Sequence, residues 1–415
     1  MNIRHVLWSL IALCSISIIT SVAGLAWFIS SRQQSSNPQL AIISANSQIT
    51  LHHLHKEQTN ILTENALASP LNLPATSPDG LRLAYIANDQ FNAVLKVINV
   101  RTGEQQELYR SARYIPFDIS WSPDGKYIIF LQSEENTLAG YIVPSDGSKM
   151  AQAVKSGSPL YFAWSPDSKT LLLHVNGHSL QQGALLAYNP DTGQTSNLMN
   201  DPGLFQAPAW SYDGQHIFYA AQPEISDRKM EFSDVANHLV QVNTQGQVVN
   251  TISSEGLSFL WMVRAPEANN LAFISRTLGE NAEQAPLKMF DEESLEVRVL
   301  SLPDQHVTSF FWSPDAQHIA YLSYQGEYDP SGVRTWNVVN IKNGEVQQLA
   351  TFQPNEALIS IQTFFDAYTF AFSPWSPDSK YLSYGSADGI YVLDLAQAEP
   401  KRVGDGIIGV WTEQP

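Results

Sequence analysis

The chain has 415 residues, 44% of them hydrophobic and 15% charged, a composition that excludes an intrinsically disordered protein. Its net charge is −17; Arg4 and Arg32 are the only charged side chains before Lys56, leaving 21 basic and 40 acidic side chains beyond them. Such a surface repels nucleic acid and anionic lipid at long range, so neither is expected as the main partner.

After a short tail (residues 1–5), residues 6–31 carry no charged side chain and are mostly apolar. About 20 apolar residues span a bilayer as a helix, and Trp8 and Trp27 lie near the two ends as interfacial aromatics do. The expectation is an uncleaved transmembrane signal anchor; a cleaved signal peptide ending at Ser21-Val22-Ala23 is the competing reading. Arg4 and the terminal amine favour an inside N-terminus, which would leave the following domain extracytoplasmic. Cys14 is the single cysteine, so the domain has no internal disulfide. The absence of any Asn-x-Ser/Thr acceptor favours a bacterial envelope protein. Residues 32–38 form a linker, and the domain runs from 39 to 415.

That domain is built on a repeated phrase. Trp121-Ser122-Pro123-Asp124-Gly125 returns as Trp164-Ser165-Pro166-Asp167, Trp210-Ser211-Tyr212-Asp213-Gly214, Trp312-Ser313-Pro314-Asp315 and Trp375-Ser376-Pro377-Asp378. Weaker copies stand at Ser77-Pro78-Asp79-Gly80 and Ala265-Pro266-Glu267. The acidic positions 79, 124, 167, 213, 267, 315 and 378 are mostly spaced in the range of four-strand propeller blades. Proline presets a type I turn, aspartate bonds back to the backbone and glycine accepts a positive φ, so each copy reads as a hairpin tip. Where Ser168, Ala316 and Ser379 replace the glycine, the turn is expected to relax. Four residues past each acidic marker stand Leu83, Ile128, Leu171, Ile217, Leu271, Ile319 and Leu382. Two further on, Tyr85, Phe130, Leu173, Tyr219, Phe273, Tyr321 and Tyr384 share the same strand face. The aspartates and motif tryptophans are expected to be structural, with the indoles wedged between blades.

These turns resemble those of the TolB-like subgroup of WD-repeat-type β-propellers, over roughly residues 39–415. The resemblance implies an all-β propeller and envelope-associated protein contact. Both chain ends read as parts of one more blade. Ile408 to Thr412 looks like a first strand, while Leu40 to Ser44, Ile49 to His53 and Thr59 to Leu62 look like a second, third and fourth. Joining them removes exposed sheet edges and makes eight blades. Seven is the alternative, if Ala265 to Glu267 belongs to an insertion.

Chemistry is sparse. Gly404-Asp405-Gly406-Ile407-Ile408-Gly409 matches G-x-G-x-x-G but has no room for a following βαβ unit. His52, His53 and His55 cluster in the first blade segment; His53, His55 and Glu57 would share a strand face and could bind a metal, or the histidines are incidental on a surface strand or turn, and no metal or cofactor is expected. The acidic run Asp291-Glu292-Glu293 with Glu296 reads as a solvated blade edge. No G-x-S-x-G nucleophile elbow occurs, so a hydrolase domain is not expected within this chain. The leading expectation is a membrane-anchored, non-catalytic interaction module for an envelope protein or glycan. A propeller enzyme acting on glycans, lyase or hydrolase, and a small-ligand sensor are the alternatives. Long segments fall opposite the repeated turns at Pro223–Asn237, Arg276–Leu287, Tyr324–Arg334 and Pro354–Thr369. Their Arg228, Phe232, Tyr324, Tyr328, Arg334, Phe364, Phe365 and Tyr368 are the candidate binding residues.

Overall fold

The computed structural model describes residues 38–412 except 55, 57–58, 68, 71, 176–182, 201, 204–205, 222–236, 278–284, 327–328, 330–331 and 366–370. The expected membrane segment, residues 6–31, lies outside the described residues, among which no helix is long and apolar enough to cross a membrane.

Eight antiparallel blades form the domain. Blade 1 joins Ile408–Thr412 from the C-terminal end to Gln39–Ile43, Ile49–His53 and Thr59–Thr63. Blades 2, 3 and 4 take four consecutive strands each, beginning at Ala75–Thr76, Pro116–Trp121 and Leu160–Trp164. Blades 5 and 6 share one sheet of seven strands, because the 17-residue strand Val248–Arg264 is the outer strand of blade 5 and then the inner strand of blade 6. Leu257 pairs in both directions, with Asn237 in blade 5 and Thr277 in blade 6. Blade 7 begins at His306–Trp312, and blade 8 contains Tyr381–Ser386, Gly389–Asp394 and Glu399–Gly404. In blade 8 isolated bridges occupy the place of the first strand, and the one at the turn end joins Trp375 to Leu382. It repeats the register of Trp121 with Ile128, Trp164 with Leu171 and Trp312 with Ile319. The copy at Ala265 to Glu267 is therefore a true blade, since Arg264 pairs with Leu271 in that same register.

Burial follows from stacking sheets around a ring. Strand Leu171–Val175, flanked on both faces, is buried at every residue, whereas the outer strand Glu296–Val299 is exposed at every residue. The continuous apolar runs in second strands thus reflect two covered faces.

The turns show a role for serine that the repeat alone leaves unassigned. Ser122 Oγ donates to Asp124 Oδ1 (2.7 Å) and accepts from the Tyr127 amide (2.9 Å), while Asp124 Oδ1 accepts from the Lys126 amide (3.1 Å). The same three bonds recur around Ser165, Ser211 and Ser313. Five of the six such tryptophans are tied backwards as well as wedged, while the Trp164 indole nitrogen is buried without a hydrogen-bond partner. Indole Nε1 of Trp121, Trp210, Trp312, Trp375 and Trp411 donates to the carbonyl of Ala75, Ala163, Val263, Phe311 and Pro374 respectively. In every case the acceptor immediately precedes the equivalent position of the previous blade. Where blade 2 has Thr76 in place of tryptophan, its hydroxyl donates to the Trp411 carbonyl (2.7 Å) and continues the ring.

Ser168, Ala316 and Ser379 do not relax their turns, contrary to the expectation from sequence. Their φ values of 61°, 54° and 59° remain in the left-handed region with Gly125 at 70°. Two of the three recover something for it: the Ser168 hydroxyl accepts from the Asp124 amide (2.9 Å) and the Ser379 hydroxyl from the Asp315 amide (3.2 Å), each in the preceding blade. Ala316 has no hydroxyl to do so. Ala316→Gly should therefore stabilise the domain by about 1 kcal/mol, the scale of the left-handed penalty, and Ser168→Gly by clearly less. Urea midpoints decide this; equal gains at both sites would remove the inter-blade serine bond from the account.

Candidate functional site

In blades 2, 5 and 8 the inner strand is split. Its far end is a lone bridge, Ala66 to Ala87, Pro202 to Ala221 or Pro354 to Ser386, and it resumes only at Ala75, Ala209 or Trp375. Neighbouring blades cover both sheet faces and the second strand takes the outer side. For the described residues between bridge and strand, the side facing the axis of the ring is the one left open. From these segments Leu73, Gln206, Phe365 and Phe372 are buried.

Gln206 meets His174 there. His174 Nδ1 donates to the Gln206 carbonyl (2.8 Å), leaving His174 Nε2 and both side-chain amide atoms of Gln206 buried without a hydrogen-bond partner. Complete burial pushes the His174 imidazole down to about 4, so it is neutral at physiological pH.

The longest axial segment carries a helix, Glu356–Thr363, where the sequence reading had a loop. Asn355 Oδ1 caps it by accepting from the Leu358 amide (3.0 Å), and Glu356 sits in the first turn where the helix dipole favours a carboxylate. Asn355 Nδ2 donates to the Ile407 carbonyl (2.8 Å), fastening the cap to blade 1. Ala357, Leu358, Ile361 and Gln362 form the buried face. Beyond the helix, Phe365 packs with ring centroids 5.3 Å from Trp261, 5.0 Å from Phe310 and 5.5 Å from Phe311.

This arrangement divides the candidate binding residues. Phe365 is 0% exposed and Arg334 2% exposed, so neither is presented to a partner as the sequence reading had it. Arg334 turns inward: Nε donates to Gln362 Oε1 (3.0 Å), Nη1 to the Gly332 carbonyl (3.0 Å) and Nη2 to the Asp329 carbonyl (2.8 Å). Its guanidinium lies 5.2 Å from the Tyr324 ring centroid, and that ring stacks on His306 at 4.7 Å. Arg334 therefore binds the blade 7 loop to the helix. Phe364 is exposed at 51%, with Val333 at 55% on the segment that Arg334 anchors. Arg228, Phe232, Tyr328 and Tyr368 lie outside the described residues.

Two other groups singled out from sequence fall elsewhere. His53 is buried in blade 1 and Gln39 Nε2 donates to its Nδ1 (2.7 Å); His55 and Glu57 lie outside the described residues. Among the described residues no three His, Cys, Asp or Glu side chains converge as metal ligands. The acidic run is solvated at Glu293 and Glu296 but not at Glu292. The Glu292 side chain, only 8% exposed, accepts from Gln241 Nε2 (2.8 Å) and lies 3.3 Å from His216 Nδ1 in blade 5. Burial pushes its carboxyl up.

The family described as the TolB beta propeller domain matches residues 41–277, more than half of the chain. The chain belongs to the TolB β-propeller family. No curated protein sequence matches it. Among solved structures, a eukaryotic initiation factor is 12% identical, with a TM-score of 0.55 over 91% of this chain and 98% of its own. A prolyl endopeptidase is also 12% identical with a TM-score of 0.55, over 83% of this chain and 50% of its own, so this chain spans about half that enzyme's length. The oligogalacturonate lyase of Vibrio parahaemolyticus is 12% identical, with a TM-score of 0.50 over 75% of this chain and 84% of its own. These likenesses show a shared propeller fold, which enzymes and non-enzymes both use.

Proposed function

We propose that this TolB-family propeller is a non-catalytic interaction module of the bacterial cell envelope. It is held to the cell membrane by residues 6–31 and presents its loop-rich face to a protein or glycan partner. The observation that carries the reading is the asymmetry of the two faces. One holds the tight serine–aspartate turns, and at the other the strands that flank the longer segments of blades 5 to 8 end, with Phe364 and Val333 exposed on a braced support. The tether fits the same orientation. Gln39 pairs with Thr412 beside Trp411, so the chain enters the domain at the turn face, and the linker of residues 32–38 reaches at most roughly 25 Å. The turn face then lies toward the membrane and the loop face away from it.

The test is capture of envelope components by the anchored protein. Alanine at Arg228, Phe232, Tyr328, Phe364 and Tyr368 together should abolish capture, while alanine at Lys126 and Lys169, exposed on the turn face, should leave it intact. Loss with the second set and survival with the first would move the working surface to the other face. Depolymerisation of a pectic or cell-wall glycan by the purified domain would replace this reading with the enzymatic one.

A further inference from the structure

Each propeller blade ends in an outer strand with one unpaired edge, and such edges invite pairing unless they are guarded. Arg110 guards the outer strand of blade 2, Lys155 that of blade 3, and Pro400-Lys401-Arg402 that of blade 8. The outer strands of blades 1, 4 and 7 and the blade 5 part of Val248–Arg264 carry no Lys, Arg or Pro, and blade 6 combines an open edge with exposed valines beside an exposed glutamate. Its outer strand Glu296–Val299 pairs with Leu287–Asp291 on one side and terminates the sheet on the other.

The ladder shows which backbone groups are open. The Leu300 amide donates to the Leu287 carbonyl (2.8 Å), and hydrogen-bonded pairs alternate along an antiparallel ladder. The inward-bonded residues are therefore Arg298, opposite Met289, and Glu296, opposite Asp291. Val297 and Val299 turn their N–H and C=O groups outward. The one cation in the strand offers no guard, because the Arg298 guanidinium donates to the Ile341 carbonyl of blade 7. That contact also fixes the faces. Even-numbered side chains point toward blade 7, and Val297 and Val299 point toward blade 5, exposed at 43% and 60%. On blade 5's own outer strand, Val248 and Val249 are exposed as well.

We propose that this edge accepts an extended peptide as a fifth strand of blade 6, and that the peptide alternates apolar with basic side chains. The open backbone groups of Val297 and Val299 supply main-chain hydrogen bonds, the usual source of affinity in strand addition. Apolar side chains of the guest lie over Val297 and Val299. Its cations fall on the other face beside Glu296, next to the exposed Glu293. A second copy of this chain is a poor occupant, since it would bring together two surfaces of the same sign on chains of net charge −17.

Fluorescence anisotropy with a labelled peptide of alternating lysine and valine, and with its glutamate–valine counterpart, tests the site on the whole domain. The lysine peptide should bind and the glutamate peptide should not. Hydrogen exchange should slow on binding at the Val297 and Val299 amides and not at Arg298. Val297→Pro, which removes one outward N–H and no inward one, should weaken binding at least tenfold. Should that variant fail to fold, V297K/V299K serves the same purpose by placing cations on the apolar face. Equal binding by either folded variant, binding of both peptides alike, or exchange protection elsewhere would overturn the proposal. So would no binding, or dimerisation of the domain through this edge in sedimentation.

Discussion

Deleting residues 408–415 should abolish the folded ring, giving a product that melts far below the intact domain or aggregates on expression. Strand Ile408–Thr412 is buried at all five residues and pairs along its length with Gln39–Ile43. Trp411 donates to the Pro374 carbonyl in blade 8 and its own carbonyl accepts from Thr76 in blade 2, so it bridges three blades. Loss of one buried tryptophan costs roughly 3–5 kcal/mol, and a domain's whole stability is about 5–15 kcal/mol. Trp411→Ala alone should show the lower figure, and removing the strand should exceed what the domain can lose. Thermal melting with light scattering checks both; a truncated protein with unchanged melting and solubility would refute closure by this strand.

The second large effect separates two adjacent phenylalanines. Phe365→Ala should destabilise the domain by about 3–5 kcal/mol, because it empties the centre of the Trp261, Phe310 and Phe311 cluster. Phe364→Ala, at an exposed side chain, should stay within about 0.5 kcal/mol. Arg334→Ala should resemble the first, at roughly 2–3 kcal/mol, since it leaves the buried Gln362 Oε1 and the Gly332 and Asp329 carbonyls without their donor. Urea denaturation of the three variants gives the comparison. If Phe364 matters as much to stability as Phe365, the assignment of one to the support and the other to the surface fails. Loss of partner capture in F365A or R334A would report a damaged scaffold, which is why neither belongs in a binding test.

The repeat made the architecture legible because turn chemistry is local. Pro123, Asp124 and Gly125 declare a hairpin tip from their own backbone preferences, and the strict offset to Ile128 and Phe130 carries the strand face with it. The composite blade was legible for the same reason, as Leu40 to Ser44 repeats the pattern of Leu271 to Ser275. What escaped was set by distant partners. Arg334 looks like a surface anchor until Gln362, 28 positions away, is seen to hold it inside. Glu292 looks solvated until His216 and Gln241 arrive from the neighbouring blade. The helix Glu356–Thr363 did leave a signal, an asparagine cap followed by apolar residues at 357, 358 and 361, but a single turn-rich segment in an all-β repeat draws attention away from it. Ser168 and Ala316 misled in the other direction, since stacking against neighbours holds a left-handed backbone that local preference alone would release.

The strand Val248–Arg264 has a mechanical meaning. Among the described residues, the other seams between blades are crossed by side-chain packing and hydrogen bonds, loops or turn contacts, whereas between blades 5 and 6 a strand runs unbroken from the rim of blade 5 to the axis of blade 6. It acts as a strut. Tension at that rim is carried directly to the middle of the molecule, and blades 5 and 6 must yield together or not at all. Breathing of the ring is thereby directed away from this seam and toward blade 1, whose inner strand is held to its neighbours by no covalent link within the sheet.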